Sequence, residues 1–180
     1  PDCPTSMSEM KGRLKSLPPT ERDALLDRWI GTAPDEVPSG HVFRMMTWDE
    51  ARQLESMGIA AGSHTMSHAI LAQEDEASAE WEVSESRRVL QGELGHPITS
   101  FAYPNGGRGY FLPRDEALLQ RSGYRVGFAA IRGRHRPGAD PYAVERIPVS
   151  RVEGWLPLFA ARLAFPYGLK DGLLRLVRRR

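Results

Sequence analysis

The sequence predicts an α/β protein in which helices alternate with short strands around a largely parallel sheet. Three observations point there. Helical patterns with start and stop signals recur from residue 47 to residue 123, short apolar runs follow them, and Gly-rich polar stretches fall where those runs end. Sheets of this kind place functional residues in the loops past the C-terminal ends of their strands.

Residues 1–44 read as a helical and loop segment, inserted in or flanking the core, with two short helical patterns. The clearer one follows Pro18-Pro19-Thr20, where Leu25, Leu26, Trp29 and Ile30 recur at helical spacing and Gly31 stops the run. Thr32 to Gly40 reads as a Pro/Gly/Ser linker. The core, residues 45–152, opens with Thr47 as N-cap and Glu50 completing a capping box, and its first helix ends near Met57 at Gly58. Ile59 to Gly62 reads as a short strand. A long helix runs from about Asp75 to Leu94, with Ala79, Val83, Leu90 and Leu94 on one stripe and Gly95 closing it. Thr99 to Tyr103 is a strand, Pro113 opens a short helix with Asp115 and Glu116 in its first turn, and Gly123 ends it. Tyr124 to Ala130 and Val144 to Val149 are the remaining strands. Residues 153–180 carry two amphipathic helical patterns, Leu156–Leu163 and Leu169–Leu176, ending in Arg178, Arg179 and Arg180, cations that suit a helix C-terminus.

At 180 residues the chain has the length of one domain, and 41% hydrophobic with 26% charged residues is an ordinary globular composition. A net charge of +1 gives no global pull toward nucleic acid, and no apolar run approaches the ~20 residues needed to span a bilayer. The single cysteine, Cys3, cannot close an intrachain disulfide. No signal peptide is visible, and the compartment stays open.

The chemistry concentrates at two strand ends. Ser63-His64-Thr65-Met66-Ser67-His68 follows the Ile59–Gly62 run, and two histidines four apart on a helical turn share a face, where both imidazoles can reach one metal ion. Phe101-Ala102-Tyr103-Pro104-Asn105-Gly106-Gly107 supplies a second strand and a Gly-rich turn whose N–H groups can face a ligand.

With these blocks in order, the run from Met46 to about Val149 resembles the polysaccharide deacetylases, the NodB-homology or family-4 carbohydrate esterases. The resemblance rests on Met46-Thr47-Trp48-Asp49-Glu50, Gly62-Ser63-His64-Thr65-Met66-Ser67-His68, Glu85-Ser86-Arg87-Arg88-Val89-Leu90 and Phe101-Ala102-Tyr103-Pro104-Asn105-Gly106. It implies an incomplete, distorted (β/α) barrel of the NodB-homology type and a hydrolase removing acetyl groups from N-acetylated or O-acetylated polysaccharide. It further implies a divalent metal, zinc, held by His64 and His68, with Asn105 giving a backbone N–H to the oxyanion. Tyr103 and Pro104 would shape the groove wall, with Gly106 beside the substrate. The partner is an acetylated polysaccharide or oligosaccharide.

Three departures accompany the resemblance. The family's opening motif, a strand ending in adjacent aspartates that supplies a metal ligand and the general base, has no match in residues 1–40, so the chain reads as an N-terminally truncated fragment with little activity of its own. Ala102 stands where many members carry an arginine. No Leu-x-His motif closes the sequence, which leaves His135, in the basic loop Arg132–Gly138, as the candidate general acid. The competing readings are a non-catalytic carbohydrate-binding relative using the same groove and an interaction module acting through the C-terminal helices.

Overall fold

The structure, a computed structural model, describes residues 6–30 and 45–147. Gly31, the linker, Cys3, the end of the Val144–Val149 run and the C-terminal helical patterns lie outside the described residues.

Two helices come first, α1 (Met7–Ser16) and α2 (Pro19–Ile30). Ser6 caps α1 by accepting the Glu9 N–H at 3.2 Å, and Leu25 of α2 is buried. Helix α3 (Trp48–Ser56) starts on the expected capping box: Thr47 Oγ1 accepts the Glu50 N–H at 3.3 Å and Thr47 N–H donates to Glu50 Oε2 at 2.8 Å. The Ile59–Gly62 run does not become a strand. It stays irregular, and among the described residues the next residue, Ser63, forms an isolated parallel bridge to Phe101.

A single 3₁₀ turn (Leu71–Gln73) leads into α4 (Glu76–Leu94), capped by Asp75, which accepts the Ser78 N–H at 2.8 Å, and closed by Gly95 in the left-handed region. Strand β1 (Ser100–Ala102), helix α5 (Pro113–Arg121), β2 (Val126–Arg132) and β3 (Val144–Arg146) complete the order. The sheet runs β1-β2-β3, all parallel, with Phe101 opposite Gly127 and Phe128 opposite Val144. The second strand sits two residues later than expected, Val126 to Arg132, since Tyr124 turns into the core before the ladder begins.

The core lies between α4, α5 and the sheet: Leu71, Ala79, Val83, Ile98, Phe101, Tyr103, Leu118, Leu119 and Tyr124, with Leu90 and Leu94 packed on it. The predicted stripe of α4 therefore faces inward. Arg87 of α4 stitches the layers together, Nε donating to Ile98 O at 2.9 Å and Nη2 to Gly123 O at 3.0 Å. Asp115, in the expected first turn of α5, is fully buried. Its Oδ2 accepts the Leu112 N–H at 2.7 Å, so the carboxylate serves the helix start from inside, and burial pushes its pKa up. Among the described residues no helix is long and apolar enough to cross a membrane.

Candidate functional site

The parallel bridge from Ser63 to Phe101 sets the two motif loops side by side. Ser63 N–H donates to Ser100 O at 2.9 Å and Ala102 N–H donates to Ser63 O at 2.8 Å. Both segments then leave the ladder in the same direction, as the strand-end rule requires. His64 leads one loop and Tyr103-Pro104-Asn105 the other.

His64 and His68 come together, their ring centroids 4.8 Å apart and their planes at 79°. Both are exposed. The means differs from the helical turn expected of the spacing. Residues 64–68 are irregular, and Thr65 (φ 64°) and His68 (φ 62°) occupy the left-handed region.

His64 Nδ1 lies 2.6 Å from Ala102 O. A carbonyl oxygen only accepts, so Nδ1 carries the proton, and in the neutral ring the lone pair is on Nε2. A backbone carbonyl holding the far nitrogen is the usual support of a metal-binding imidazole. The donor chemistry therefore fits a borderline cation such as zinc at two positions. Among the described residues no group of three or more His, Cys, Asp and Glu is placed to share one ion.

In the second loop Asn105 (φ 58°) and Gly106 (φ 57°) are consecutive left-handed residues. Gly106 N–H donates to Pro104 O at 2.6 Å, and Gly106 O accepts the Ala130 N–H at 2.7 Å. A Cβ at Gly106 would lie 2.7 Å from Ala130 N and 2.9 Å from Tyr103 O, so only glycine fits. The Asn105 N–H has no hydrogen-bond partner among the described residues. Pro104 and Gly106 are buried beneath this turn.

Tyr103, expected at the groove wall, has its side chain in the core instead. It is 1% exposed, stacks on Phe111 at 4.0 Å and meets Phe101 edge-on at 5.3 Å. Its hydroxyl donates to Tyr142 O at 2.9 Å, and burial pushes its pKa up. His135 is exposed beyond the end of β2, in a cleft of about 450 Å³ lined by Arg132 to Pro137 and Glu145; His64, His68 and Asn105 are not among that lining. His96 pairs on the surface with Glu55, Nε2 to Oε2 at 2.7 Å.

Sequence reasoning missed Glu82 and Ser86. Both are buried on the inward face of α4. Glu82 Oε2 accepts the Met66 N–H at 2.7 Å and the Ser67 N–H at 3.0 Å, and Oε1 accepts the Ser67 hydroxyl at 2.5 Å. Ser86 Oγ lies 2.7 Å from Ser63 Oγ and donates to Val83 O at 3.0 Å. The available signal was positional: 82 and 86 interleave with 79 and 83 on an apolar stripe, and a polar residue on such a stripe has a partner.

Similar folds occur among solved structures. The chain superposes on the Streptococcus pyogenes deacetylase PplD in complex with acetate (TM-score 0.56, 19% identity, 63% of this chain and 50% of that one). It also superposes on IcaB from Ammonifex degensii (0.55, 23%, 68% and 55%) and on BC0361, a polysaccharide deacetylase from Bacillus cereus (0.55, 19%, 76% and 46%). The chain thus spans about half the length of these structures. The shared fold makes the described α/β unit an incomplete (β/α) barrel of the NodB-homology type. No curated relative matches the sequence. The family model for polysaccharide deacetylase matches residues 25–126, more than half of the 180 residues, and the chain belongs to the polysaccharide deacetylase family.

Proposed function

We propose that this chain contributes the two-histidine half of a divalent-metal site to a hydrolase that removes acetyl groups from N-acetylated or O-acetylated polysaccharide. The observation that carries the reading is His64: its Nδ1–H is engaged by Ala102 O, its Nε2 is free to coordinate, and the ring of His68 stands beside it. Membership of the deacetylase family supplies the reaction class, amide or ester plus water giving amine or alcohol plus acetate. PplD, a relative in fold, is in complex with acetate, the acid that such a reaction releases.

His64 and His68 would hold the ion, zinc by the chemistry of the donors. When bound, such an ion supplies Lewis-acid activation of a water nucleophile and of the acetyl carbonyl. The Asn105 N–H, preset by the left-handed turn and free of internal partners, donates to the carbonyl oxygen as it gains charge. Gly106 and Pro104 hold that N–H in place from below, and Tyr103 anchors the turn through Tyr142 O instead of lining the groove. His135 serves as proton donor to the leaving group where the loop after β2 approaches a bound glycan, and the neighbouring Arg132, Arg134 and Arg136 favour acidic sugars there.

Two imidazoles fall short of the three protein ligands usual in catalytic zinc sites, so this chain by itself is expected to bind zinc weakly. Calorimetric titration of the chain beside a His64→Ala/His68→Ala double variant tests the reading. Weak binding that disappears in the variant is the expected result. Equal heats from both proteins would overturn the metal assignment and leave a carbohydrate-binding relative as the better account.

A further inference from the structure

The carboxylate of Glu82 is one of two buried acidic groups among the described residues, with that of Asp115. It is 6% exposed, sits mid-helix on α4, and takes part in no ion pair among the described residues. A buried charge without a cation is costly unless hydrogen bonds satisfy it. All of its hydrogen bonds go to one place, the Met66 and Ser67 N–H groups and the Ser67 hydroxyl, the two residues just before His68 in the His64–His68 loop. One turn along α4, Ser86 binds Ser63, the residue just before His64. Positions i and i+4 of one helix face therefore grip the loop at its start and at its middle.

The loop needs such a grip. Thr65 is β-branched and sits at φ 64°, and His68 sits at φ 62°, conformations that L-residues with side chains rarely keep without enforcement. Nothing in residues 64–68 forms a regular ladder or helix that would enforce them. A packing role alone would be met by an apolar side chain at position 82, as at Ala79 and Val83 on the same face. A carboxylate aimed at two consecutive amides is matched to one backbone shape, the one that sets the two imidazole rings 4.8 Å apart.

We infer that Glu82, assisted by Ser86, is the positioning residue that holds the His64–His68 loop in its metal-receptive shape, so that α4 and not the loop sequence sets the geometry of the two ligands. The inference rests on the metal reading above for its purpose, but not for its test. Glu82 itself is no ligand, since both of its oxygens are occupied by the loop.

The test uses the full chain and its variants E82A, E82Q and S67A, each at a temperature where circular dichroism shows it folded. Amide exchange at Met66 and Ser67 and the tautomer of His64 by nitrogen NMR are read first, without metal. In E82A both amides are expected to lose protection and the His64 Nδ1–H signal to average. E82Q, which can still accept from an amide and donate to Ser67 Oγ, is expected to retain most of both. S67A, which removes one of the three contacts without touching α4, should fall between them and covers the case in which E82A does not fold. Zinc calorimetry then reads the consequence, a loss of affinity of about 10-fold to 100-fold in E82A, the range usual for residues behind a metal ligand, with partial rescue in E82Q. Unchanged exchange and tautomer in folded E82A and S67A overturn the inference. If wild-type chain binds zinc no better than the His64→Ala/His68→Ala variant, the metal reading fails, while the exchange and tautomer data still decide whether Glu82 holds the loop.

Discussion

The loop after Ser63 and the turn after β1 leave the same parallel ladder side by side, and they are held by opposite means. The turn at residues 103–107 is held by its own main chain: Tyr103 N–H on Phe128 O, Ala130 N–H on Gly106 O, and a glycine pressed against β2. The His64–His68 loop has almost no main-chain ladder and depends on side chains of α4. The first is robust to side-chain change and intolerant of a Cβ at one point. The second has no such steric point and fails if a distant helix loses one carboxylate.

The sharpest way to break this contrast is Gly106→Val. The left-handed backbone alone costs about 1–3 kcal/mol for a residue with a side chain, and the added Cβ meets Ala130 N at 2.7 Å. A large fall in thermal midpoint is expected, with amide exchange at Met66 and Ser67 unchanged well below that midpoint. Equal exposure of those amides would mean that the two loops form one unit. Tyr103→Phe is a milder probe. It removes the hydroxyl's bond to Tyr142 O and leaves the stack on Phe111, a loss of about 1 kcal/mol in denaturant unfolding, with zinc binding unaltered if the side chain belongs to the core.

The smallest expected effect lies away from both loops, where His96 and Glu55 tie the end of α4 to α3. The bond from Glu55 raises the His96 pKa, and the same bond lowers that of Glu55. The histidine's share of stability is complete below the unfolded imidazole value and fades as pH rises through the raised one. The carboxylate's share is complete above its unfolded value and fades as pH falls through the lowered one. The pair therefore contributes most between about pH 4.5 and 6.5. His96→Ala should lower the thermal midpoint more at about pH 5.5 than at about pH 9, and a pH-independent difference would count against the pairing.

Much of the architecture was legible because its signals are local. The Thr47 and Glu50 box, Gly95 and Pro113 each mark a helix end through local signals within a few residues. The motif blocks placed Asn105 past the end of a strand, where the structure has it, and His64 and His68 past a run that the structure leaves irregular, with one bridge at Ser63. What stayed hidden depends on partners far along the chain. The left-handed Thr65 and His68 follow from Glu82, some 15 residues on, and no helical spacing rule could show that. Tyr103 was misplaced although the alternation of a strand puts it on the same face as Phe101, a core residue. Asp115 was placed in the first turn of its helix, where it is, but nothing local marked it as fully buried beside the exposed Leu112, Pro113 and Arg114.

The hydrogen bond from His64 to Ala102 spans 38 residues. An unfolded chain has no such carbonyl at hand, so the imidazole there is not committed to one tautomer. On the metal reading proposed above, the imidazole would be prepared by folding, and by reciprocity an ion that prefers the prepared form would stabilise the folded chain in proportion to its concentration. Metal occupancy and folded population would then be two readings of one equilibrium, and availability of the ion would help decide how much of the protein stands folded.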